Sequence, residues 1–187
     1  MKVLLIDFYD SFTYNIYHYL VSLGANVTVW EDRVVKIEEI EQFDAIILSP
    51  GPGLPKDSVS LFPVLERYST KKKILGVCLG MQGIAEFYGS KLYNQPEIRH
   101  GISSKMRILK NDKLFTNLPQ EIEVGLYHSW AVNLDNNSEL ILTSTLENNV
   151  VMGIEHYRFP VFGIQFHPES ILTPCGKQIL DNFLNNC

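Results

Sequence analysis

Cys78 is the residue of this chain whose surroundings best suit a nucleophile. It lies in Gly76-Val77-Cys78-Leu79-Gly80, between an apolar run at 74–77 and a helix-patterned run at 80–88. A thiol in a G-x-C-x-G segment at a strand-to-helix junction is the sulfur counterpart of G-x-S-x-G, where the central side chain stands clear of the sheet edge. Glycine costs a strand or helix about 0.5–1 kcal/mol relative to alanine, so two glycines around one residue point to a backbone requirement, here a tight turn. Unpaired N–H groups at a helix start also favour a thiolate. The competing reading is a small buried hydrophobe.

A second motif, Gln165-Phe166-His167-Pro168-Glu169-Ser170, sets an imidazole and a carboxylate two residues apart after another apolar run. Pro168 blocks helix and lets both side chains converge. A glutamate that accepts Nδ1–H sets the tautomer and leaves Nε2 to take a proton from a thiol. Cys78, His167 and Glu169 would then be nucleophile, base and orienting acid of thiol acyl transfer. By themselves, His167 and Glu169 could equally cap the final helix. His128 and His156, both at strand ends, are rival bases without an acid in comparable geometry. His18 falls in a helix and His100 in a loop. Pro50-Gly51-Pro52-Gly53 either punctuates a turn or lets bare backbone at Gly53 meet a substrate oxyanion. Neither P-loop nor metal-ligand spacing is present.

These groups need a scaffold that brings them to one rim. Residues 2–8 form an apolar run of strand length. Phe12, Ile16, Tyr19, Leu20 and Leu23 then recur at helical spacing up to Gly24, a C′ glycine. Strands are expected at 26–30, 44–49 and 74–77, and helices at 60–68 and 80–88. Uninterrupted apolar strands alternating with helices imply a parallel sheet covered on both faces, with reactive groups at the carboxyl ends of the strands. Residues 50–53 and Cys78 both fall there. From Ser90 onward the period shortens, giving strands at 104–109, 121–127, 140–145, 150–155 and 161–166. Asn111-Asp112, Asn117-Leu118-Pro119, Asp135-Asn136-Asn137, Asn148-Asn149 and Phe159-Pro160 supply the turns between them. An amphipathic helix over 173–184 closes the chain, with Ile179, Leu180, Phe183 and Leu184 on one face. The expected architecture is one α/β domain over 1–187: three layers, a mainly parallel central sheet with helices on both faces, and additional antiparallel strands.

Composition narrows the function classes. The 187 residues suffice for a substantial core, and 45% hydrophobic with 20% charged residues describes a globular chain. A net charge of −5 argues against a nucleic-acid partner. The one basic run, Lys71-Lys72-Lys73, reads as a solvated loop rather than a phosphate patch. No apolar run reaches the roughly 18–20 residues of a membrane-spanning helix. The N-terminal stretch is too short for a signal peptide and reads as the first core strand of a cytoplasmic protein. Three cysteines, Cys78, Cys175 and Cys187, are too few for a disulfide framework and fit a reducing compartment. Cys187, the last residue, is expected to be a frayed thiol.

Ser49-Pro50-Gly51-Pro52-Gly53, Gly76-Val77-Cys78-Leu79-Gly80-Met81-Gln82, Tyr127-His128-Ser129 and the Gln165–Thr173 segment together resemble the class I (triad) glutamine amidotransferases. Asp7-Phe8-Tyr9-Asp10-Ser11-Phe12-Thr13-Tyr14-Asn15 is similar to the glutaminase subunits of anthranilate synthase and aminodeoxychorismate synthase. The resemblance runs in order from Met1 to the final helix. It implies hydrolysis of L-glutamine to glutamate and ammonia, with Cys78 forming a γ-glutamyl thioester, His167 moving the proton and Glu169 holding His167. It also implies oxyanion binding by the backbone N–H groups of Gly53 and Leu79, beside Gly51 and Pro52. Gln82 would recognise the amino-acid end of glutamine, assisted by the backbone of Ser129 and Trp130.

The implied partner is a chorismate-binding synthase subunit that receives ammonia along a sheltered path and makes anthranilate or 4-amino-4-deoxychorismate. No cofactor is expected in this subunit, and magnesium only in the partner. Leu126 stands where the family often has Arg, Trp130 where a Leu is common, and His100-Gly101-Ile102-Ser103-Ser104 where the family usually shows His-Gly-Lys. These departures leave the triad untouched and bear on the partner-facing surface. The alternatives are a glutaminase subunit of another ammonia-using synthetase, a stand-alone γ-glutamyl thiol hydrolase, and a non-catalytic scaffold.

Overall fold

Period-two alternation on the early strands builds two cores at once. On β1 (Lys2–Asp7), Val3 and Leu5 enter one cluster while Leu4 and Ile6 enter another. β3 (Ala45–Leu48) divides in the same way, with Ala45 and Ile47 on one side and Ile46 and Leu48 on the other. A strand apolar on both faces must be covered on both. Helices α1 (Thr13–Ser22) and α4 (Gly176–Asn185) cover the first face through Ile16, Leu20, Ile179, Leu180 and Phe183. Helices α2 (Leu61–Tyr68) and α3 (Leu79–Phe87) cover the second through Leu61, Leu65, Met81 and Ile84. The computed structural model describes residues 1–134 and 139–187, with backbone only at 96–99.

The remaining strands are β2 (Asn26–Glu31), β4 (Lys73–Val77), β5 (Lys91–Ile108), β6 (Glu121–Asn133), β7 (Leu140–Leu146), β8 (Val151–His156) and β9 (Val161–Ile164). Among the described residues they form one sheet in the order β2-β1-β3-β4-β9-β8-β7-β5-β6. Pairing is parallel from β2 through β9 and antiparallel from β9 through β6. The α/β class, the two helical layers and the antiparallel extension are as expected. Strands β3, β4 and β9 are neighbours and parallel, so their carboxyl ends share one rim.

Several expectations need correction. β5 begins at Lys91 rather than 104, so His100 lies in a strand and not in a loop. Pro96 and Gly101 disguise it in the sequence, and the strand tolerates them because both fall at irregularities where the register with β6 shifts. His128 falls within β6 rather than at its end. α4 starts at Gly176, after a turn beginning at Ser170, instead of at 173. The turn expected at Asp135-Asn136-Asn137 lies outside the described residues.

Two charged features also take structural roles. In the basic run, Lys72 Nζ donates to the carbonyls of Glu41 and Phe43 at 2.9 and 2.7 Å. Lys73 Nζ lies 3.3 Å from the carbonyls of both Phe183 and Leu184, where a cation complements the last turn of α4. Those lysines are therefore not simply solvated. Cys187 is no frayed thiol: it packs against the core, and burial pushes its thiol up to about 12. Asp32, only 6% exposed, accepts hydrogen bonds from Ser58 Oγ, Val59 N, Ser60 N and Ser60 Oγ just before α2.

Candidate active site

Cys78 ends β4 and opens α3 with φ 51° and ψ −102°, backbone that residues other than glycine seldom adopt. Its N–H donates to Ile164 O at 2.8 Å, and its carbonyl accepts Gln82 N at 3.0 Å. The strain therefore sits on the cysteine itself. Gly76 and Gly80, expected to supply the turn, do not have positive φ. They are needed for clearance instead. A Cβ at Gly80 would strike the Leu48 carbonyl, and one at Gly76 would strike the Gly80 backbone. Two bare backbones let α3 start directly on β3 and β4, which holds Cys78 at the rim, 8% exposed.

His167 and Glu169 follow β9 on the same rim. The ring Nδ1 lies 2.6 Å from Glu169 Oε1, and both residues are buried. They do not cap α4, which starts seven positions beyond Glu169. The turn that carries them is pinned to β6: His167 N donates to Gly125 O, while Thr173 Oγ1 accepts from Gly125 N and donates to His167 O. The rings of Tyr127 and Phe12 flank the imidazole at 4.9 and 5.9 Å between centroids. Tyr127 Oη is 2.9 Å from Ser170 Oγ, a further tie between β6 and this turn.

Burial alone would lower the pKa of His167. The Cys78 sulfur and the Glu169 carboxylate outweigh it and raise the ring to about 10. The surroundings thus favour the protonated ring, with Nδ1–H donated to Glu169. Glu169 Oε2 is buried and makes no hydrogen bond among the described residues. The arrangement is a cysteine, a charged imidazole and a carboxylate at the ends of adjacent parallel strands. Chemically it can hold an anionic sulfur and deliver a proton to a leaving group.

The other expected contacts fall around this rim. Gly53 has φ 76°, so its backbone takes a path that side chains disfavour. Gly51 lies so close to Phe8 and the Leu79 side chain that a Cβ there would come within 2.6 and 2.7 Å of them. Pro52 and Leu79 line a cleft of about 170 Å³ with Phe8, Leu54 and Asp57. Gln82, 3% exposed, points its Nε2 at Trp130 O (3.1 Å) and at Gln165 Oε1 (3.2 Å). The Trp130 carbonyl therefore holds Gln82. Ser129 and Trp130 both lie in β6.

The rival histidines take other partners. His156 accepts the N–H groups of Arg158 and Phe159 on Nδ1 and stacks on Tyr157 and Phe159, and Nε2 lies 3.5 Å from Glu139. That acid is remote in sequence, so spacing gave no sign of it. His128 Nδ1 is 2.9 Å from Trp130 O. Gln165 is the residue that sequence reasoning left without a role. Its signal was a carboxamide at the end of an apolar run, where burial demands a partner. Among the described residues no group of three or more His, Cys, Asp or Glu is arranged to hold a metal ion. No helix there is long and apolar enough to cross a membrane.

A family model, glutamine amidotransferase class-I, matches residues 4–187. The chain belongs to the class I glutamine amidotransferases. It is 40% identical over 193 residues to anthranilate synthase component 2 of Thermus thermophilus, covering 100% of this chain and 93% of that protein. It is 40% identical over 192 residues to aminodeoxychorismate synthase of Streptomyces griseus, covering 98% of this amidotransferase but 26% of that longer protein. A solved structure described as a glutamine amidotransferase of Thermotoga maritima superposes with a TM-score of 0.77 at 17% identity, over 98% of this chain and 96% of that one. That likeness bears on the fold alone. The chain is an amidotransferase enzyme subunit.

Proposed function

We propose that this subunit hydrolyses L-glutamine and passes the ammonia to a chorismate-binding synthase subunit. The observation that carries the reading is the buried His167–Glu169 pair, 2.6 Å apart, on the turn that follows β9, the parallel neighbour of the strand leading into Cys78. The Cys78 sulfur attacks the side-chain carboxamide carbon, and the carbonyl electrons move onto oxygen. The backbone N–H groups of Gly53 and Leu79, with Gly51 and Pro52 shaping the approach, receive that oxyanion. One such donor is typically worth about 100- to 1,000-fold in rate. As the C–N bond breaks, His167 protonates the departing nitrogen, leaving a γ-glutamyl thioester. Water, deprotonated by His167, then adds to the thioester, releasing glutamate and expelling the Cys78 sulfur as an anion beside the reprotonated imidazole. Glu169 keeps the imidazole in one orientation throughout. Gln82 and the backbone of Ser129 and Trp130 recognise the amino-acid end of glutamine.

This chemistry asks for no cofactor on this chain, and magnesium belongs with the partner. Ammonia released into water at neutral pH becomes ammonium, which is not nucleophilic, so a docked acceptor protein is the economical arrangement. Relatives called anthranilate synthase component 2 and aminodeoxychorismate synthase favour anthranilate or 4-amino-4-deoxychorismate as product. A reducing cytoplasm suits a free catalytic thiol. Reconstitution with each class of chorismate-binding subunit tests the reading. Cys78→Ala is expected to abolish glutamine-dependent synthesis and to leave synthesis from added ammonium salt intact. Glutamine-dependent synthesis surviving in Cys78→Ala would overturn it.

A further inference from the structure

A chain of buried carboxamides ends on the nucleophile. Trp130 O can only accept, so the Gln82 atom 3.1 Å from it is the amide nitrogen. That same nitrogen is 3.2 Å from the side chain of Gln165, which must present its oxygen there. Rotating the Gln165 amide by half a turn would set two NH2 groups against each other. The only group left to face Cys78 is Gln165 Nε2, which lies 3.5 Å from Sγ. One unambiguous carbonyl on β6 thus fixes both amide orientations by hydrogen-bond logic.

Gln165 is fully buried, and its backbone N–H donates to Met152 O at 2.9 Å. It directly follows Ile164, whose carbonyl accepts the N–H of Cys78. Both ends of the cysteine are therefore tied to one short segment. We infer that Gln165 is a positioning residue that donates an amide N–H to the Cys78 sulfur and holds it as an anion pointing into the site. This rests on the acyl-transfer role proposed above for Cys78. An N–H donor strengthens its bond as the sulfur gains charge. Gln82 supports Gln165 from behind through its amide nitrogen.

The test is the pH dependence of Cys78 alkylation by iodoacetamide in the full chain, followed on the Cys78 peptide by mass spectrometry. Gln165→Leu removes the donor. Gln165→Glu keeps the shape and an oxygen for Gln82 but sets a carboxylate beside the sulfur. The rise in labelling is expected to move to higher pH by about one unit in Gln165→Leu and further in Gln165→Glu. A merely structural role for Gln165 would leave the profile of a folded variant unchanged. If Gln165→Leu does not fold, Gln165→Glu decides. A folded Gln165→Glu protein whose profile superposes on the parent's overturns the inference. Cys78→Ala assayed in parallel separates the two failures. Its continued glutamine-dependent activity would remove the nucleophile itself, whereas an inactive Cys78→Ala with unshifted Gln165 profiles would remove only the positioning role.

Discussion

Across the single residue Pro168, the imidazole of His167 and the carboxylate of Glu169 meet at 2.6 Å inside the protein. Proline between them forbids helical spacing and turns both side chains to one side. Because, against its burial, the Cys78 sulfur and the Glu169 carboxylate push the ring up from 6.5 to about 10, the pair also couples folding to pH. A histidine raised on folding stabilises the native state fully below its unfolded pKa. That contribution is lost as pH rises from about 6.5 through about 10.

Glu169→Gln removes the carboxylate from this pair. Glutamine-dependent activity of the assembled enzyme is expected to fall by about 100-fold or more. The loss of stability between pH 6.5 and 10 should also become shallower in the variant than in the parent. Urea unfolding at several pH values across that window measures the difference. Equal slopes in the two proteins would show that Glu169 does not hold the proton on the ring.

Cys78 occupies backbone that costs about 1–3 kcal/mol for a residue with a Cβ. Cys78→Gly relieves that cost but loses up to about 1 kcal/mol to glycine's unfolded-state freedom. Cys78→Gly is therefore expected to be more stable than Cys78→Ala by about 1 kcal/mol, with both inactive toward glutamine. Denaturant midpoints of the two variants decide it. An alanine variant as stable as the glycine one would mean that position 78 stores no strain.

Gly80→Ala would drive a methyl group into the Leu48 carbonyl, which belongs to a central strand and cannot move aside cheaply. The expected loss is about 1–3 kcal/mol of stability, with slower Cys78 labelling because α3 must shift. Thermal unfolding and alkylation rates report the two effects. Gly24→Ala is the control: its Cβ would meet open space, so only the positive-φ penalty applies and labelling should stay unchanged.

Burial of Asp32 would raise its pKa, but hydrogen bonds from Ser60, Ser58 and the backbone of Val59 and Ser60 outweigh it and hold the carboxyl below the usual range. A depressed carboxylate contributes stability above its unfolded pKa, about 4, and loses it as pH falls through the lower folded value. Asp32→Ala should cost about 1–3 kcal/mol at neutral pH, the penalty for buried donors left unpaired, and less in acid. Unfolding at pH 7 and pH 2.5 tests the sign. A cost that grows on acidification would contradict it.

Much of this protein is written locally. Uninterrupted apolar runs mark β1, β3, β4 and β9, helical spacing marks α1 and α3, and the two short motifs around Cys78 and His167 name the reactive groups. Such signals survive because they arise from residues a few positions apart, whose burial and backbone preferences do not depend on distant partners. What the chain does not reveal locally depends on packing between remote segments. Asp32 accepts hydrogen bonds from residues 26 to 28 positions later, just ahead of α2, Gln165 reaches Cys78 across 87 residues, and β5 passes Pro96 and Gly101 at irregularities in its pairing with β6. Residue types alone allow a carboxamide or a carboxylate in any of several roles. Only the folded arrangement, which determines which donor each buried acceptor meets once water is gone, selects among them.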